Sequence, residues 1–474
     1  MLFSAENVCV RTVFFVMKRG IFLRLSSSVS LTEGKLSRQI LVFSLPLIFS
    51  NILQVLFNMS DIAVVGRYAG SHALGSVGST AIIVALFTNV IIGIGSGVNV
   101  VVARYLGAKE DRCVHDTVHS SALICLICGL VLMLIGQLIN RPLLELMGTK
   151  EELIDGAELY LRIYFCGLPA LSLYNFGNGV LSAAGDTGRP LIYMLIAGIL
   201  NVVLNLVFVI GFSMDVDGVA IASIIAQYVS AVLVLITLYK SKEVYSLSFK
   251  ELHFTRDKTK QVALLGITTG LQNAIFQGAN LFVQAGVNTF DAVTVEGNSA
   301  ATNADALVYD VMAAFYVACS AFMSQNYGAH KKKRVRDSFF ISTAYALGIG
   351  LCMGVGIFLL GENFLHIFTK DDAVAASGMQ RLSVMALSYG FSALMDGTIA
   401  ASRGLGKSGV PTVIVILGSC VFRIFWIYTV FAHFKTITSL YLVYISSWSI
   451  TAAAELIYFR YVYKKMVSPL PDAA

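Results

Sequence analysis

Long apolar segments separated by short polar connections make up almost the whole chain. Each segment holds about 20 residues or more, which is the length a helix needs to cross the hydrocarbon core of a bilayer. Charged residues, Gly or Pro bound the segments, as is typical of membrane helices. The pattern predicts twelve membrane-spanning helices, at 39–66, 76–103, 117–140, 157–182, 190–212, 217–240, 261–286, 297–325, 337–361, 377–402, 411–433 and 437–462.

The composition agrees with this pattern. The mean hydropathy is +0.76, and 57% of the residues are hydrophobic while only 13% are charged. Soluble domains carry about 25% charged residues. The 40 glycines suit helices that pack closely through small side chains. We therefore predict an all-α polytopic membrane protein.

Basic residues predict the orientation of the helices. Of the 34 Lys and Arg, 26 lie in the two tails and in alternate loops, five lie in the opposite loops, and three lie inside segments. Loops rich in Lys and Arg stay on the cytoplasmic side. We expect both termini to lie in the cytoplasm. We expect the protein to span the cell membrane, specifically a bacterial inner membrane.

The two halves of the chain repeat each other. The stretch 102–116 resembles 323–337, and 185–190 resembles 406–411, both at an offset of 221 residues. Each half holds six predicted helices, so the two halves have the same orientation in the membrane. Parallel repeats of this kind place a substrate path between the halves, near the midplane.

The repeat divides the chain into five parts. Within the first part, the apolar run near Met17 is too short to span a membrane, and Met17 itself could be the true start. We predict a cytoplasmic N-terminal tail at 1–37, an N-lobe of helices 1–6 at 38–240, a cytoplasmic linker at 241–260, a C-lobe of helices 7–12 at 261–463, and a cytoplasmic C-terminal tail at 464–474.

The first predicted helix carries a stripe of polar side chains. Asn51, Gln54, Asn58 and Asp61 follow at i, i+3, i+7 and i+10, which places them on one helix face. A carboxylate in a bilayer costs at least about 2.5–3.5 kcal/mol, and ionisable groups in membrane helices commonly mark functional sites. The stripe indicates a helix that lines a cavity, although an Asp held by a structural hydrogen bond would give the same pattern.

Three motifs together resemble those of the multidrug and toxic compound extrusion (MATE) transporters. They are the run from Pro46 to Gly66, the loop Gly185–Pro190, and the segment Ser324–Ala329. The resemblance covers about residues 36–465. It implies two six-helix lobes that form a V, and the export of small organic, often cationic, compounds in exchange for H⁺ or Na⁺.

The resemblance also implies an ion site in the N-lobe, at Asp61, Asn201, Asn205 and Ser223. Asn205 stands where the family has Asp, and Ser223 stands where it has Thr. One carboxylate with amides binds Na⁺ less well than two carboxylates do. A lone buried carboxylate takes up a proton more readily, because burial disfavours its charged form. We therefore favour H⁺ over Na⁺ as the coupling ion, with Na⁺ at the same four residues as the alternative.

Further polar and aromatic residues are candidates for the substrate path, because flat organic cations bind aromatic faces, Met and carboxylates. Asp305 is the preferred candidate for a second proton carrier or for a group that attracts a cationic substrate. Asp396 lies about one turn from the family's C-lobe acid, and a structural role is open for both. The predicted path comprises Asn51, Gln54, Asn58, Tyr164, Tyr174, Asn175, Gln272, Phe276, Gln277, Asn298, Asn303, Asp305, Tyr309, Met312 and Asp396, and Tyr316 is a further aromatic candidate.

Other patterns carry less weight. Arg423 and Glu455 are predicted to pair structurally across the last two helices. His115 and His119 are spaced i, i+4, but without a third ligand nearby we interpret them as solvated histidines and predict no resident metal. The glycines at 404–409 match a dinucleotide fingerprint in spelling only, so no cofactor is expected.

The sequence thus predicts a secondary antiporter for organic cations, and no enzyme. We expect a monomer that contacts membrane lipids and no nucleic acid. The main alternative is a related flippase for a lipid or a lipid-linked oligosaccharide, which should have a more cationic central cavity than the amide-rich, acidic one predicted here.

Overall fold

The computed structural model describes residues 28–366 and 368–471, and these residues form helices and connections without a β-strand. The predicted all-α class is confirmed. Residues 1–27 of the predicted N-terminal tail, with Met17, and residues 472–474 of the C-terminal tail lie outside the described part of the chain.

Between residues 28 and 240, the structure has seven α-helices. Two of them continue into π-helical turns, at Val65–Ala69 and Val207–Gly211. The helices are α1 (Leu36–Val64), α2 (Gly70–Ala108), α3 (Asp111–Leu146), α4 (Glu151–Phe165), α5 (Leu168–Ala183), α6 (Gly188–Leu206) and α7 (Val216–Lys240).

A linker with one 3₁₀ turn, Phe249–Glu251, leads into the second half. The penultimate apolar segment of the second half alternates between α-helix and π-helix. The π-helical turns are Ile416–Val421 and Ile427–Phe431. The helices are α8 (Arg256–Val287), α9 (Ala292–Gly328), α10 (Lys332–Leu359), α11 (Gly361–Leu365), α12 (Asp372–Gly404), α13 (Gly409–Val415), α14 (Phe422–Trp426), α15 (Ala432–Phe434) and α16 (Ile437–Met466).

Ten helices in the described residues are long and apolar enough to cross a membrane, and they coincide with ten of the twelve predicted segments. The other two segments are also helical, but differ from the expectation. Segment 261–286 lies in α8, a helix of 32 residues whose amides, among them Gln272, Asn273 and Gln277, lower its hydropathy. Segment 157–182 is two helices, α4 and α5.

The break between α4 and α5 has a local cause. Pro169 lies in the first turn of α5, where its missing N–H costs nothing. In the interior of a helix the same ring removes one backbone hydrogen bond and crowds the carbonyl four residues earlier, which favours a break here. The Gly167 amide instead bonds to the Tyr164 carbonyl in a tight turn, at 2.9 Å. Apolarity continues through this turn, so hydropathy alone predicts one straight segment.

The two lobes meet along α2, which packs against α8 and α9 of the C-lobe. Gly93 lies so close to α8 that a Cβ there would be 2.2 Å from the Gly270 backbone nitrogen. Ser324 of α9 donates to the Val100 carbonyl at 2.6 Å. These contacts lie near the middle of α2 and in its C-terminal half. The C-terminal ends of α2 and α9 lead to the basic loops 104–116 and 326–337. The lobes are therefore closed on this side, which we call the basic side.

Residues 28–35 cross the closed seam as an irregular segment, which we call the strap. The Val29 amide bonds to the Gly185 carbonyl of the N-lobe at 3.0 Å. Asn326 of the C-lobe donates to the Leu31 carbonyl at 2.9 Å, and Lys331 donates to the Thr32 carbonyl at 2.9 Å. The strap thus holds both lobes together on the basic side.

Helix α1 is shared between the lobes. Its first half belongs to the C-lobe core, where Phe43 packs edge-on against Phe322 with ring centroids 5.4 Å apart. Its second half packs on α6 of the N-lobe. Pro46, inside the helix, lies at the change-over, and Thr187 donates to the Phe43 carbonyl at 3.0 Å. The predicted N-lobe boundary at 38 therefore assigns to the N-lobe a helix whose first turns pack in the C-lobe.

Candidate functional site

Asp61 lies in the last turns of α1, on the half of the helix that packs against the N-lobe. The close approach of α1 to α6 depends on Gly198, since a Cβ there would lie 1.8 Å from the ring of Phe57. This approach sets the Asp61 carboxylate against the face of α6 that carries Asn201 and Asn205. Both amides are buried, with 6% and 0% of their surface exposed.

A chain of hydrogen bonds joins the four predicted ion-site residues. Asn205 Nδ2 donates to Asp61 Oδ1 at 2.5 Å and lies 3.4 Å from Asn201 Oδ1, a second acceptor. Asn201 Nδ2 in turn donates to Ser223 Oγ of α7 at 3.2 Å. The structure thus brings Asp61, Asn201, Asn205 and Ser223 into one cluster formed by three helices.

The cluster offers several oxygen atoms but one formal charge. Asn205 Oδ1 is buried and has no hydrogen-bond partner within the described residues. Buried acceptors nearly always have a partner. An unused acceptor beside a single carboxylate can accept a bond from a proton-bearing group or contribute to the coordination of a small cation. The arrangement is therefore suited to taking up one positive charge.

Two tyrosines of α4 border this cluster. Tyr160 and Tyr164 stack with ring centroids 5.9 Å apart, and both are near enough to Asp61 to experience its charge. Tyr164 is one of the predicted path residues, while Tyr160 was not predicted. Their rings provide an apolar wall that keeps the carboxylate partly shielded from solvent.

The polar stripe of α1 divides into three parts. Asn51 donates to the Asp310 carbonyl of α9 at 2.7 Å and so bridges the lobes at mid-depth. Gln54 and Asn58 are exposed, although they lie within an apolar membrane segment. Exposed amides at this depth are satisfied only beside water. The stripe therefore faces a space between the lobes on the side opposite to the basic loops, with Asp61 beyond it.

Several predicted path residues in the N-lobe make contacts within their own lobe. The Tyr174 hydroxyl donates to the Pro190 carbonyl at 3.2 Å. Asn175 Nδ2 donates to the Leu171 carbonyl one turn earlier at 2.9 Å. Both side chains are half-buried. In this conformation these contacts place them in the N-lobe interior and not on an open path.

The predicted path residues of the C-lobe differ in their exposure: some are buried and others are exposed. Met312 has no exposed surface and packs in the C-lobe core, so it is not a path residue in this conformation. Gln272 is buried and accepts from Thr412 at 3.4 Å. Tyr309 is 41% exposed and packs edge-on against Tyr316, at 6.4 Å between centroids. Gln277 is half-buried and Asn303 is exposed.

Asp305 belongs to a closed polar network. Arg381 of α12 donates to Asp305 Oδ2 at 2.6 Å and 2.9 Å, and to Asn298 Oδ1 at 2.9 Å. The Tyr389 hydroxyl donates to the other Asp305 oxygen at 2.5 Å, and the Tyr441 hydroxyl donates to Asn298 at 3.1 Å. A carboxylate that accepts two bonds from a buried Arg on one oxygen and a Tyr hydroxyl on the other is poorly placed to carry a proton. These contacts favour the structural alternative for Asp305.

The predicted pair of Arg423 and Glu455 does not form. Arg423 instead donates to Asn280 Oδ1 of α8 at 2.6 Å and lies 4.7 Å from the Phe276 ring centroid. Glu455 is fully buried, and neither of its carboxylate oxygens has a hydrogen-bond partner in the described residues. Arg423 Nε also donates to Ser447 Oγ of α16 at 3.4 Å. Ser447 lies about two turns before Glu455 on that helix, so Arg423 reaches α16 at a different depth from the carboxylate. Asp396 accepts from Ser392 at 3.0 Å, one turn earlier on α12.

The sequence was also compared with known protein families. The family model MatE matches residues 46–207 and 269–429, one stretch in each lobe. The chain belongs to the MatE family. The resemblance drawn from the three motifs is confirmed, and the protein is a multi-pass membrane protein of the MATE multidrug efflux transporter family.

Two relatives illustrate the breadth of the MATE family. The chain is 27% identical to the probable multidrug resistance protein YpnP of Bacillus subtilis (strain 168), over 79% of this chain and 84% of that protein. It is 22% identical to a FAD transporter of Shewanella oneidensis, over 76% of this chain and 80% of that protein. One relative is thus named for multidrug resistance and the other for the transport of FAD.

Solved structures share the fold of this MATE protein. A MOP superfamily transporter from Pyrococcus furiosus superimposes with a TM-score of 0.86 at 20% identity, over 93% of this chain and 98% of the other. A MATE transporter structure described as outward-facing superimposes with a TM-score of 0.85, also at 20% identity. At this identity the likeness establishes the two-lobed fold alone.

Sequence reasoning missed some residues that organise this MATE protein. Arg381 is one of the three basic residues inside predicted segments, and the sequence indicates no partner for it, yet it is the centre of the Asp305 network. Tyr160 gave no pattern of its own, because an aromatic residue in a membrane helix is usually a packing residue. The apolar position of Arg381 in helix α12 was the one feature that could have indicated a buried ion pair.

Proposed function

We propose that this protein is a secondary active antiporter that exports small organic, mainly cationic, compounds across the cell membrane in exchange for H⁺. Asp61 is the proposed proton carrier, with Asn201, Asn205 and Ser223 as its immediate partners. Both termini lie in the cytoplasm, and the path runs between the lobes. Relatives that are transporters support this class over an enzyme.

One observation carries the proposal: Asp61 is the single carboxylate in a cluster of amides and a hydroxyl, reached along an exposed polar stripe. The buried Asn205 donates to Asp61 at 2.5 Å, a bond that is stronger when the carboxylate is charged. Protonation weakens that bond and removes the only formal charge of the cluster. Proton uptake at Asp61 therefore directly weakens a contact between α1 and α6.

The position of α1 offers a route from the proton to the cargo. Its first half packs in the C-lobe and its second half packs on α6, with Pro46 between them. When the bond from Asn205 to Asp61 weakens, the second half of α1 is free to shift relative to α6. A shift of this kind narrows the space along Gln54 and Asn58 and displaces a cation bound there.

The test is transport of ethidium by the purified full-length protein in proteoliposomes, with either a pH gradient or a Na⁺ gradient imposed. We expect the pH gradient alone to drive wild-type transport. Asp61→Asn should reduce transport to the background of empty liposomes, because Asn cannot bind a proton at neutral pH. Asp372→Asn is the matched control, since this acid is 97% exposed in its side chain and lies at the start of α12.

The outcomes separate the alternatives. Unchanged transport by Asp61→Asn would refute the role of Asp61. A strict requirement for Na⁺ would refute the choice of H⁺ and favour Na⁺ bound at the same four residues. If neither gradient moves the dye, a lipid or metabolite cargo replaces the organic cation, and the lipid flippase becomes the preferred function.

A further inference from the structure

A cluster of imidazoles and carboxylates lies on the basic side, where the interlobe linker meets the start of α3. His115, Asp116 and His119 come from α3, and Glu251 and His253 come from the linker. The ring centroids of His115 and His119 are 3.9 Å apart, and that of His253 lies 6.4 Å and 6.1 Å from them. Residues about 135 positions apart in the chain thus meet at one point outside the transport path, at the start of α3.

Two of the histidines have a defined tautomer. His119 Nδ1 donates to the His115 carbonyl at 2.8 Å, and His253 Nδ1 donates to the Glu251 carbonyl at 2.7 Å. A carbonyl oxygen can only accept, so each Nδ1 carries its hydrogen. Histidines that bind metals commonly donate their other ring N–H to a backbone carbonyl in this way. For His119 this leaves a lone pair on Nε2, which now accepts from the Ser248 amide at 3.0 Å.

The two acids complete the donor set. His115 Nε2 lies 3.0 Å from Glu251 Oε2, and His253 Nε2 lies 3.2 Å from Asp116 Oδ1. One ligand atom each from His115, His119 and Glu251 lie within 4.8 Å of one another. A ring nitrogen beside a carboxylate oxygen needs a proton or a metal ion between them. Imidazole and carboxylate together are ligands that Zn²⁺ favours.

Solvent can reach the cluster. The side chains of His115, His253 and Glu251 are 34%, 44% and 60% exposed, while His119 is buried beneath them. An ion can therefore enter from the solution on the basic side, and two carboxylates balance the charge of a dication. The buried His119 provides the fixed inner ligand, and the exposed groups close over the ion.

We propose that His115, His119 and Glu251 bind one divalent transition-metal ion of the zinc class, with His253 at the fourth position. In the bound state the ion takes the His119 lone pair that the Ser248 amide now meets. The site ties the linker to α3 of the N-lobe. It is distinct from the Asp61 cluster and goes beyond the proposed transport function, so it can be tested without any measurement of transport.

The experiment uses the full-length protein in detergent, purified without a histidine tag and stripped with a chelator. Zn²⁺ binding is measured by titration calorimetry, and Co²⁺ is used as a spectroscopic probe of coordination. We expect one Zn²⁺ per chain and a Co²⁺ absorption spectrum of the tetrahedral type. Zn²⁺ should also raise the unfolding temperature, because an ion that binds only the folded state stabilises it.

Two variants and a control give the test its specificity. His115→Ala and Glu251→Gln should each weaken Zn²⁺ binding by about tenfold or more, and should abolish the rise in unfolding temperature. His72→Ala, which removes an exposed histidine at the start of α2, should leave both unchanged. Glu251 is exposed enough that its variant is expected to fold.

Two results would overturn the proposal. One is a wild-type protein that binds no Zn²⁺ at micromolar concentration, which would mean that imidazolium–carboxylate pairs alone hold the cluster together. The other is Zn²⁺ binding that persists unchanged in both variants, which would place the ion elsewhere on the protein.

Discussion

Asn205→Asp should change the ion that drives transport. The substitution restores a second carboxylate beside Asp61, where Asn205 Nδ2 now lies 2.5 Å from Asp61 Oδ1. Two unit charges about 3 Å apart repel each other by about 5.5 kcal/mol at an effective dielectric constant of about 20. At about 1.4 kcal/mol per factor of ten, this corresponds to a preference of about 10⁴ for one bound positive charge. The repulsion favours H⁺ and Na⁺ alike, so the oxygen ligands around the pair decide between the two ions.

Asn201 Oδ1 and Ser223 Oγ already lie in the same cluster and would complete an oxygen shell for Na⁺. We therefore expect Asn205→Asp to transport ethidium with a Na⁺ gradient, and to do so much less with a pH gradient alone. Proteoliposomes in which each gradient is imposed separately provide the assay, and the Na⁺ concentration for half-maximal transport is the quantity to report.

The matched control is Asn175→Asp. It adds the same charge to a half-buried amide in the same lobe, but Asn175 is bonded to the Leu171 carbonyl and not to the Asp61 cluster. Its ion dependence should follow the wild type. An Asn205→Asp protein that remains driven by H⁺ and indifferent to Na⁺ would show that charge count at this cluster does not select the ion.

Two further predictions concern the packing of the lobes. Gly93→Ala places a Cβ 2.2 Å from a backbone nitrogen of α8, so the lobes cannot close on the basic side and ethidium transport should be lost. The control is Gly78→Ala on the same helix, which should transport normally because nothing lies within 4 Å of its Cβ. Arg381→Met leaves the Asp305 carboxylate buried without its cation and should destabilise the fold by about 3–5 kcal/mol, measured as a fall in the unfolding temperature. The double variant with Asp305→Asn should recover most of that loss, and a failure to recover would mean that the pair is not what the fold requires.

Hydropathy located the apolar segments well because a membrane helix must satisfy its backbone internally and cover it with apolar side chains. It could not locate the turn at Gly167, since the side chains on both sides of the turn remain apolar. It also could not divide α1 between two lobes, because both halves of that helix are apolar enough to lie in the membrane, and hydropathy does not show which helices they pack against. Helix contacts of this kind depend on tertiary packing.

The polar groups show a similar limit. Asp61 and its amides could be placed from helical spacing and family resemblance, because each lies on a helix whose neighbours are fixed by the fold. The partner of His115 could not be placed, since Glu251 comes from an irregular linker more than 130 residues later. The partners of Arg423 could not be placed either, because helical spacing does not give the relative depth of two helices; its side chain bonds to Asn280 and Ser447 and not to Glu455.

Because α1 is attached to both lobes, protonation of Asp61 and the angle between the two lobes depend on each other. Because the first half of α1 packs in the C-lobe and the second half packs on α6, any rotation of one lobe relative to the other must change the bend near Pro46. Thermodynamic linkage is reciprocal: if protonation of Asp61 favours one lobe angle by a given factor, fixing that angle changes the proton affinity of Asp61 by the same factor. The strap at 28–35, which restrains the angle from the far side of the seam, then acts on the proton affinity of a residue that it never touches.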